Sequence, residues 1–429
     1  MFAVVLAVFF GFLLLGAPIA FVLALTGVSH LAFMSFDYFS IIPQRIFAGI
    51  NITSLTCIPF FIVAGELMNG GGVTRKLLDF VQEIVGCIRG GLAYCTIFTA
   101  ALLSAILGSS NAVASILCNT MIPDMEKSGY DRDFSGGLIA ASGMLGPIIP
   151  PSTTFIYYSV LTGCSVKMLF MAGIIPGILI ALSYCVVVFL YVRKHDLPRV
   201  FDRIHVGRLF RAFVAAIPAL MVPVVIVGGV LAGIFTPTES GAVACFIAFV
   251  AGLFYKSLRI REIPQMMLRA AKSSASIMFI IACGNIMGWS MAVDGIPAMI
   301  QNAILSVTDN YYIVIALMLI ILIIVGCLME ATAAMLIFST VFLGLANAIG
   351  MDTLHFGLVF CLMLVLALVT PPVGMTLFVT ANVAGLEVRR ISKAIIPFVI
   401  AAFAVIVLIA YWPDLALCLP KLFLGYEAV

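Results

Sequence analysis

Two stretches of this chain, GPIIPPSTT at 146–154 and LVTPPVGMT at 368–376, set a proline pair inside a long apolar run, at Pro150–Pro151 and Pro371–Pro372. Proline lacks a backbone N–H and its ring clashes with the preceding turn, so no helix runs unbroken through such a pair. Each break strips upstream carbonyls of their helical partners. The surroundings are apolar: 64% of the 429 residues are hydrophobic and 10% are charged, against roughly 45–50% and 25% in soluble domains. The chain has room for about ten spans of roughly 20 residues. The expected class is an all-α polytopic membrane protein. In lipid an unpaired backbone group costs several kcal/mol, so these breaks survive only where protein, water or an ion satisfies them.

The breaks recur at one spacing. Pro150–Pro151 and Pro371–Pro372 lie 221 residues apart, as do Pro176 and Pro397, Gly129 and Gly350, and Asp131 and Asp352. In a second pair of interruptions, AILGSSNAVAS at 105–115 and VGCLMEATAAM at 325–335, the same 221-residue offset aligns Ser109 with Glu330 and Asn111 with Thr332. Ile149 aligns with Thr370. The expected organisation is a repeat over 1–192, a basic linker over 193–212 and a second repeat over 213–429, each with broken helices. Repeats built around broken helices mark secondary transporters. The linker carries Arg193, Lys194, Arg199, Arg203, Arg208 and Arg211 against Asp196 and Asp202. A second basic loop is expected over 255–272. The positive-inside rule puts both in the cytoplasm, with an out-and-back pair of spans, 213–234 and 238–255, between them. The first apolar run, 3–33, lacks a basic leader and is expected to be one retained span.

The charge pattern limits what the breaks can bind. No Asp, Glu, Lys, Arg or His occurs between Arg89 and Asp124 or between Asp133 and Lys167, and no Lys or Arg between Lys272 and Arg389. An anion at mid-membrane would be held by half-helix N-termini, hydroxyls and co-bound cations. Freed carbonyls beside hydroxyls make a hard-oxygen cage suited to Na⁺. Glu330 is the one carboxylate inside a deep interruption. At the bilayer centre such a group costs about 2.5–3.5 kcal/mol on insertion scales, so it should be paired.

Plainer readings stand beside these. A proline pair can be a packing kink, GSSNA can be a small-residue helix face, and Glu330 can be a hydrogen-bonding residue near a span end. Glu66 and Glu239 are expected as loop or cap residues. His30, His195, His205 and His355 stand alone in the sequence. Asn285 either lines a cavity or is buried and hydrogen-bonded. The eleven cysteines, without a C-x-x-C pair, are expected to be packing residues. A net charge of +3 implies no nucleic-acid partner.

GSSNAVAS, GPIIPPST, AGIIPG and TPPVGMTLFV together resemble the large membrane subunit of tripartite ATP-independent periplasmic (TRAP) transporters, over nearly the whole chain. The resemblance implies a bacterial inner-membrane importer of organic anions driven by Na⁺. Its partners would be a small four-helix membrane subunit, here a separate chain, and a periplasmic substrate-binding protein. It implies an elevator-type fold, a scaffold plus a transport domain with two re-entrant hairpins. Within the family the likeness is greatest to sialic-acid transporters. The resemblance places one Na⁺ site at Ser109, Asn111, Gly146, Ile149 and Pro151, and a second at Gly326, Thr332, Thr370, Pro372 and Met375. Substrate would lie by Ser109, Ser110, Asn111, Ser152, Thr154, Glu330 and Thr376. No organic cofactor is implied.

Other classes have less support in the residues. A membrane enzyme needs ionisable or metal-binding residues clustered at depth, and no H-E-x-x-H or G-x-x-x-x-G-K-[ST] occurs. A passive channel would carry current that does not saturate with substrate. A standalone Na⁺/dicarboxylate-type transporter would need no binding protein.

Overall fold

The computed structural model describes residues 2–195, 197–201, 205–371 and 374–427, and every regular element in them is helical. The chain opens with α1 (Phe2–Leu14) and α2 (Ile19–Met34), followed by a 3₁₀ turn, α3 (Ile42–Ile50), a second 3₁₀ turn, α4 (Cys57–Gly70) and α5 (Val73–Val85). Next come α6 (Gly91–Leu107), α7 (Ser110–Lys127), α8 (Arg132–Gly143), α9 (Thr153–Thr162) and the long α10 (Val166–Lys194). Beyond the linker lie α11 (Val206–Leu231), α12 (Pro237–Phe254), α13 (Ile263–Val293) and α14 (Ile296–Leu305). The chain closes with α15 (Tyr311–Leu328), α16 (Ala331–Ala348), α17 (Thr353–Ala367), α18 (Met375–Ala384), α19 (Val388–Tyr411) and α20 (Pro413–Leu424). Among the described residues seven helices are long and apolar enough to cross a membrane. An eighth span results if the pair 36–50 and 53–70, bent by 56°, counts as one.

The helix boundaries carry the 221-residue offset. Shifted by it, α7 falls on α16 residue for residue, and α6, α8, α9 and α10 fall on α15, α17, α18 and α19 to within four residues at either end. The shift also brings α2 onto α12 and α4 into α13. The local chemistry repeats with the boundaries. Gly129 and Gly350 follow α7 and α16 at φ +81° and +72°, a left-handed conformation that a Cβ disfavours. Two residues later Asp131 and Asp352 cap α8 and α17, accepting from Asp133 N at 2.8 Å and His355 N at 2.9 Å.

The halves interlock. α4 packs on α12 and α2 on α13, α7 on α18 and α16 on α9, α8 on α19 and α17 on α10. Each contact has its counterpart under the repeat. Lipid offers apolar surface no reason to cluster, so close approach of small residues has to hold such helices together. Gly137 of α8, for example, lies so near Ala394 of α19 that an added Cβ would sit 2.9 Å from that residue's methyl. At the centre, Phe134–Gly143 of α8 and Leu354–Ala367 of α17 are buried on all sides, as an all-round apolar helix should be.

Three expectations are corrected. The run 3–33 is two helices, because Gly16 at φ +76° and Pro18 end one and start the next. The second basic loop is shorter than 255–272: Pro264 in the first turn starts α13 at Ile263, and Arg269 and Lys272 are helical. Glu66 lies inside α4, paired with Arg269 Nε at 2.9 Å, whereas Glu239 does close a capping box with Thr236 on α12. Two isolated histidines turn out to be tethered. His30 Nε2 is 3.1 Å from Asp294 Oδ2, joining α2 to the end of α13, and His355 Nε2 is 2.8 Å from Ile409 O.

Candidate functional site

α6 ends on Gly108 at φ +60°, and the chain turns back at Ser109 into α7. α8 stops at Gly143, and short-range bonds such as Gly146 N to Gly143 O at 2.9 Å carry the chain across the gap to α9. These two interruptions touch. A Cβ on Gly146 would stand 2.7 Å from Ser109 C and 2.8 Å from Ser109 O, and one on Gly108 would stand 2.9 Å from Pro151 O. Only a bare Cα lets the two backbones come so close. Thr153 Oγ1 clamps the turn by donating to Gly108 O at 2.7 Å. Ser109, Ser110, Gly146 and Pro151, expected together from the sequence, are therefore in one place. Ile149 lies in the same loop, with its side chain against Gly177.

In the second half Glu330 occupies the position of Ser109. Its carboxylate accepts from Thr332 N at 2.9 Å, Thr332 Oγ1 at 2.8 Å and Ala333 N at 3.2 Å. It is the N-cap of α16 and it engages the Thr332 hydroxyl. Gly326, near the end of α15, abuts α17, where its Cβ would lie 2.5 Å from that of Ala367. Three residues further on, Thr370 donates from Oγ1 to Leu366 O at 2.8 Å, and Thr376 N then reaches back to Leu368 O at 3.0 Å. Met375 opens α18, partly exposed. Pro372 lies outside the described residues.

The four half-helices differ at their N-termini. α9 is capped by Ser152, whose hydroxyl accepts from Phe155 N at 3.1 Å and donates to Pro147 O. α16 is capped by Glu330. At α7 the Ser109 side chain makes no capping bond, and at α18 the cap position is Gly374, which has none to offer. These two uncapped ends meet: Thr376 Oγ1 donates to Asn111 Oδ1 at 2.9 Å. Helix N-termini carry unpaired N–H groups and partial positive charge. Beside them the Ser110 hydroxyl is buried and has no hydrogen-bond partner among the described residues. Thr154 is buried in the first turn of α9.

Hydroxyls, main-chain oxygens and one carboxylate thus make up the donor set. Among the described residues no three His, Cys, Asp or Glu side chains gather as a transition-metal site would require. Such oxygens suit an alkali cation, and the buried, unpartnered Ser110 Oγ lies beside them. Sequence reasoning missed three features. Thr153 clamps Gly108, Asn111 pairs with Thr376 across 265 residues, and Arg132 Nη2 caps α18 by donating to Ala384 O at 2.9 Å. Thr153 stood in a quoted motif, but the two long-range pairs leave no local pattern.

Interrupted helices meeting tip to tip inside an interlocked apolar bundle are the architecture of multi-pass secondary transporters. The DctM component family of tripartite ATP-independent periplasmic transporters matches residues 6–415, and the chain belongs to that family. It is 34% identical to the C4-dicarboxylate TRAP transporter large permease DctM of Pseudomonas aeruginosa over 400 residues, 93% of each chain. It is 32% identical to the sialic acid TRAP transporter large permease SiaM of Vibrio cholerae over 420 residues, 97% of each. In fold it is similar to the YdaH transporter of Alcanivorax borkumensis, whose crystal structure is described as showing an unusual topology. That match has a TM-score of 0.66 and 12% identity, and it covers 92% of this chain and 97% of that one. As a large permease of this family with several apolar spans, it is a multi-pass inner-membrane protein.

Proposed function

We propose that this large permease imports an organic carboxylate by Na⁺ symport, moving the substrate in an elevator motion of the domain that holds the broken helices. Its partners are a small four-helix membrane subunit and a periplasmic substrate-binding protein that delivers the anion. Sialic acid is the candidate substrate. The named relatives span both sialic acid and C4-dicarboxylates, and a carboxylate is the group those molecules share.

One observation carries this reading: the two uncapped half-helix N-termini, at Ser109 and Gly374, are joined through Asn111 and Thr376. Helix N-termini attract anions, so a carboxylate suits the place where these two meet. Ser109, Ser110, Asn111 and Thr376 would contact it, with Thr154 and Glu330 alongside, while Ser152 supports the site as the cap of α9. One Na⁺ would sit among Ser109, Asn111, Gly146, Ile149 and Pro151. The other would sit among Gly326, Thr332, Thr370, Pro372 and Met375. When bound, these ions would supply the positive charge that the side chains at this depth lack, and Glu330 would retain its role as cap.

The test is uptake of labelled sialic acid and of a labelled C4-dicarboxylate by proteoliposomes holding this chain, its small partner and its binding protein. Replacing Na⁺ by choline should abolish uptake, and undiminished uptake in choline refutes sodium coupling. Equal uptake without the binding protein would instead establish a standalone transporter.

A further inference from the structure

The described residues of the basic linker are held against the rest of the chain. Val200 N and Phe201 N donate to Gly86 O at 2.9 and 3.2 Å, and Gly90 N donates to Pro198 O at 3.3 Å. Arg208 grips Glu83 Oε1 through Nε at 3.0 Å and Nη2 at 2.6 Å, and its guanidinium lies 4.2 Å from the Phe201 ring. The segment after α10 is thereby folded back on the turn between α5 and α6. Between that turn and the end of α10 a cleft of about 470 Å³ opens, lined among others by Arg89, Tyr94, Phe189, Val192, Arg193 and Lys194.

The approach to this cleft is apolar and unpartnered. Ile178, Leu182, Val186 and Phe189 recur along α10 at three- and four-residue spacing, with Leu190 beside them, and all are exposed. They form one stripe on the helix surface. Four residues past Phe189 the stripe ends in Arg193, whose guanidinium sits 5.3 Å from the Phe189 ring. A hydrocarbon track that stops at a cluster of cations matches an amphiphile with a negative head and apolar tails. Basic pockets between helices at the cytoplasmic boundary suit anionic lipid heads, and the positive-inside rule assigns this linker to that side.

We propose that this cleft is a binding site for the phosphate head of an anionic phospholipid, with the acyl chains lying along the exposed face of α10. Arg193 and Lys194 hold the phosphate, Arg89 and the Tyr94 hydroxyl close the rim, and Val186 and Phe189 carry the tails. The site is separate from the broken helices and does not depend on how transport is driven.

The experiment is native mass spectrometry of the full-length chain, purified in mild detergent with any partner subunit it carries, then delipidated and titrated with phosphatidylglycerol or phosphatidylcholine. Wild-type protein should retain phosphatidylglycerol in preference to phosphatidylcholine. At about fivefold per surface cation, the double variant R193Q/K194Q should lose roughly 30-fold in phosphatidylglycerol affinity. R211Q, which removes one charge elsewhere in the basic segment, should bind as wild type does. A thermal-shift titration of wild-type protein with the same lipids gives a reading independent of variant folding and should show stabilisation by phosphatidylglycerol alone. Inorganic phosphate in place of lipid should neither bind nor stabilise. Equal retention of the two lipids, an unaffected R193Q/K194Q, or binding of inorganic phosphate in place of lipid would each overturn the proposal, the last in favour of a free-phosphate site. Loss of lipid whenever the small subunit is present would assign the face to that protein.

Discussion

Substituting Gly146→Ala puts the proposed Na⁺ site to its sharpest trial. The new methyl would lie 2.7 Å from Ser109 C, 2.8 Å from Ser109 O and 2.9 Å from Ser110 N. All three are backbone atoms, so no side chain can swing aside. To reach an ordinary contact of 3.4 Å the hairpin tip must retreat by about 0.7 Å. Overpacking a filled site costs about 1–3 kcal/mol. Cation ligation is sensitive to shifts of that size, so the cost should fall on the ion-bound state and lower apparent Na⁺ affinity roughly 5- to 150-fold. The assay is a Na⁺ titration of substrate uptake in reconstituted liposomes, with thermal melting in detergent alongside. Gly228→Ala is the control: nothing lies within 4 Å of its Cβ position, and a mid-helix alanine is intrinsically favoured. Wild-type Na⁺ dependence in Gly146→Ala would refute a Na⁺ site at the contact between the two interruptions.

Two further outcomes follow from the same geometry. Glu330→Ala removes the acceptor of three bonds at the start of α16. It should lower stability by about 1–2 kcal/mol as a lost cap, read as a lower melting temperature, with Glu330→Gln milder; an unchanged melt would mean that the cap is dispensable. Thr376→Val deletes the donor to Asn111, and a double-mutant cycle with Asn111→Ala, read by detergent melting, should give a coupling of at least about 0.5 kcal/mol; strict additivity would deny the bridge.

Much of the architecture was readable because its determinants are local. A turn glycine followed two residues later by an N-cap aspartate stops one helix and starts the next, so Gly129–Asp131 and Gly350–Asp352 mark the same corner twice. The proline pairs likewise mark breaks wherever they fall. The split of 3–33 was hidden because one glycine and one proline in a strongly apolar run look like tolerated interruptions. The start of α13 was hidden because Arg269 and Lys272 look like loop residues in the sequence, although Met266 and Ala270 beside them are buried. In the site, Ser109, Ser110 and Gly146 were visible as breaks in the apolar pattern. The bond between Asn111 and Thr376 was not, since it depends on which face of α7 meets α18. Nor was the difference between capped and uncapped N-termini, which comes from side-chain rotation: Ser152 turns in to its helix and Ser109 does not.

The burial of α8 bears on how the polypeptide is made. Its twelve residues give a rod of about 18 Å, well short of a hydrocarbon layer of about 30 Å. The helix that covers it, α19, leaves the ribosome more than two hundred residues later. Until then the nascent first half must shelter an undersized segment and its open carbonyls, either beneath its own neighbouring helices or within the insertion machinery. Neither half is self-sufficient, and two fragments divided at the linker should mature only when they are produced together in the same membrane.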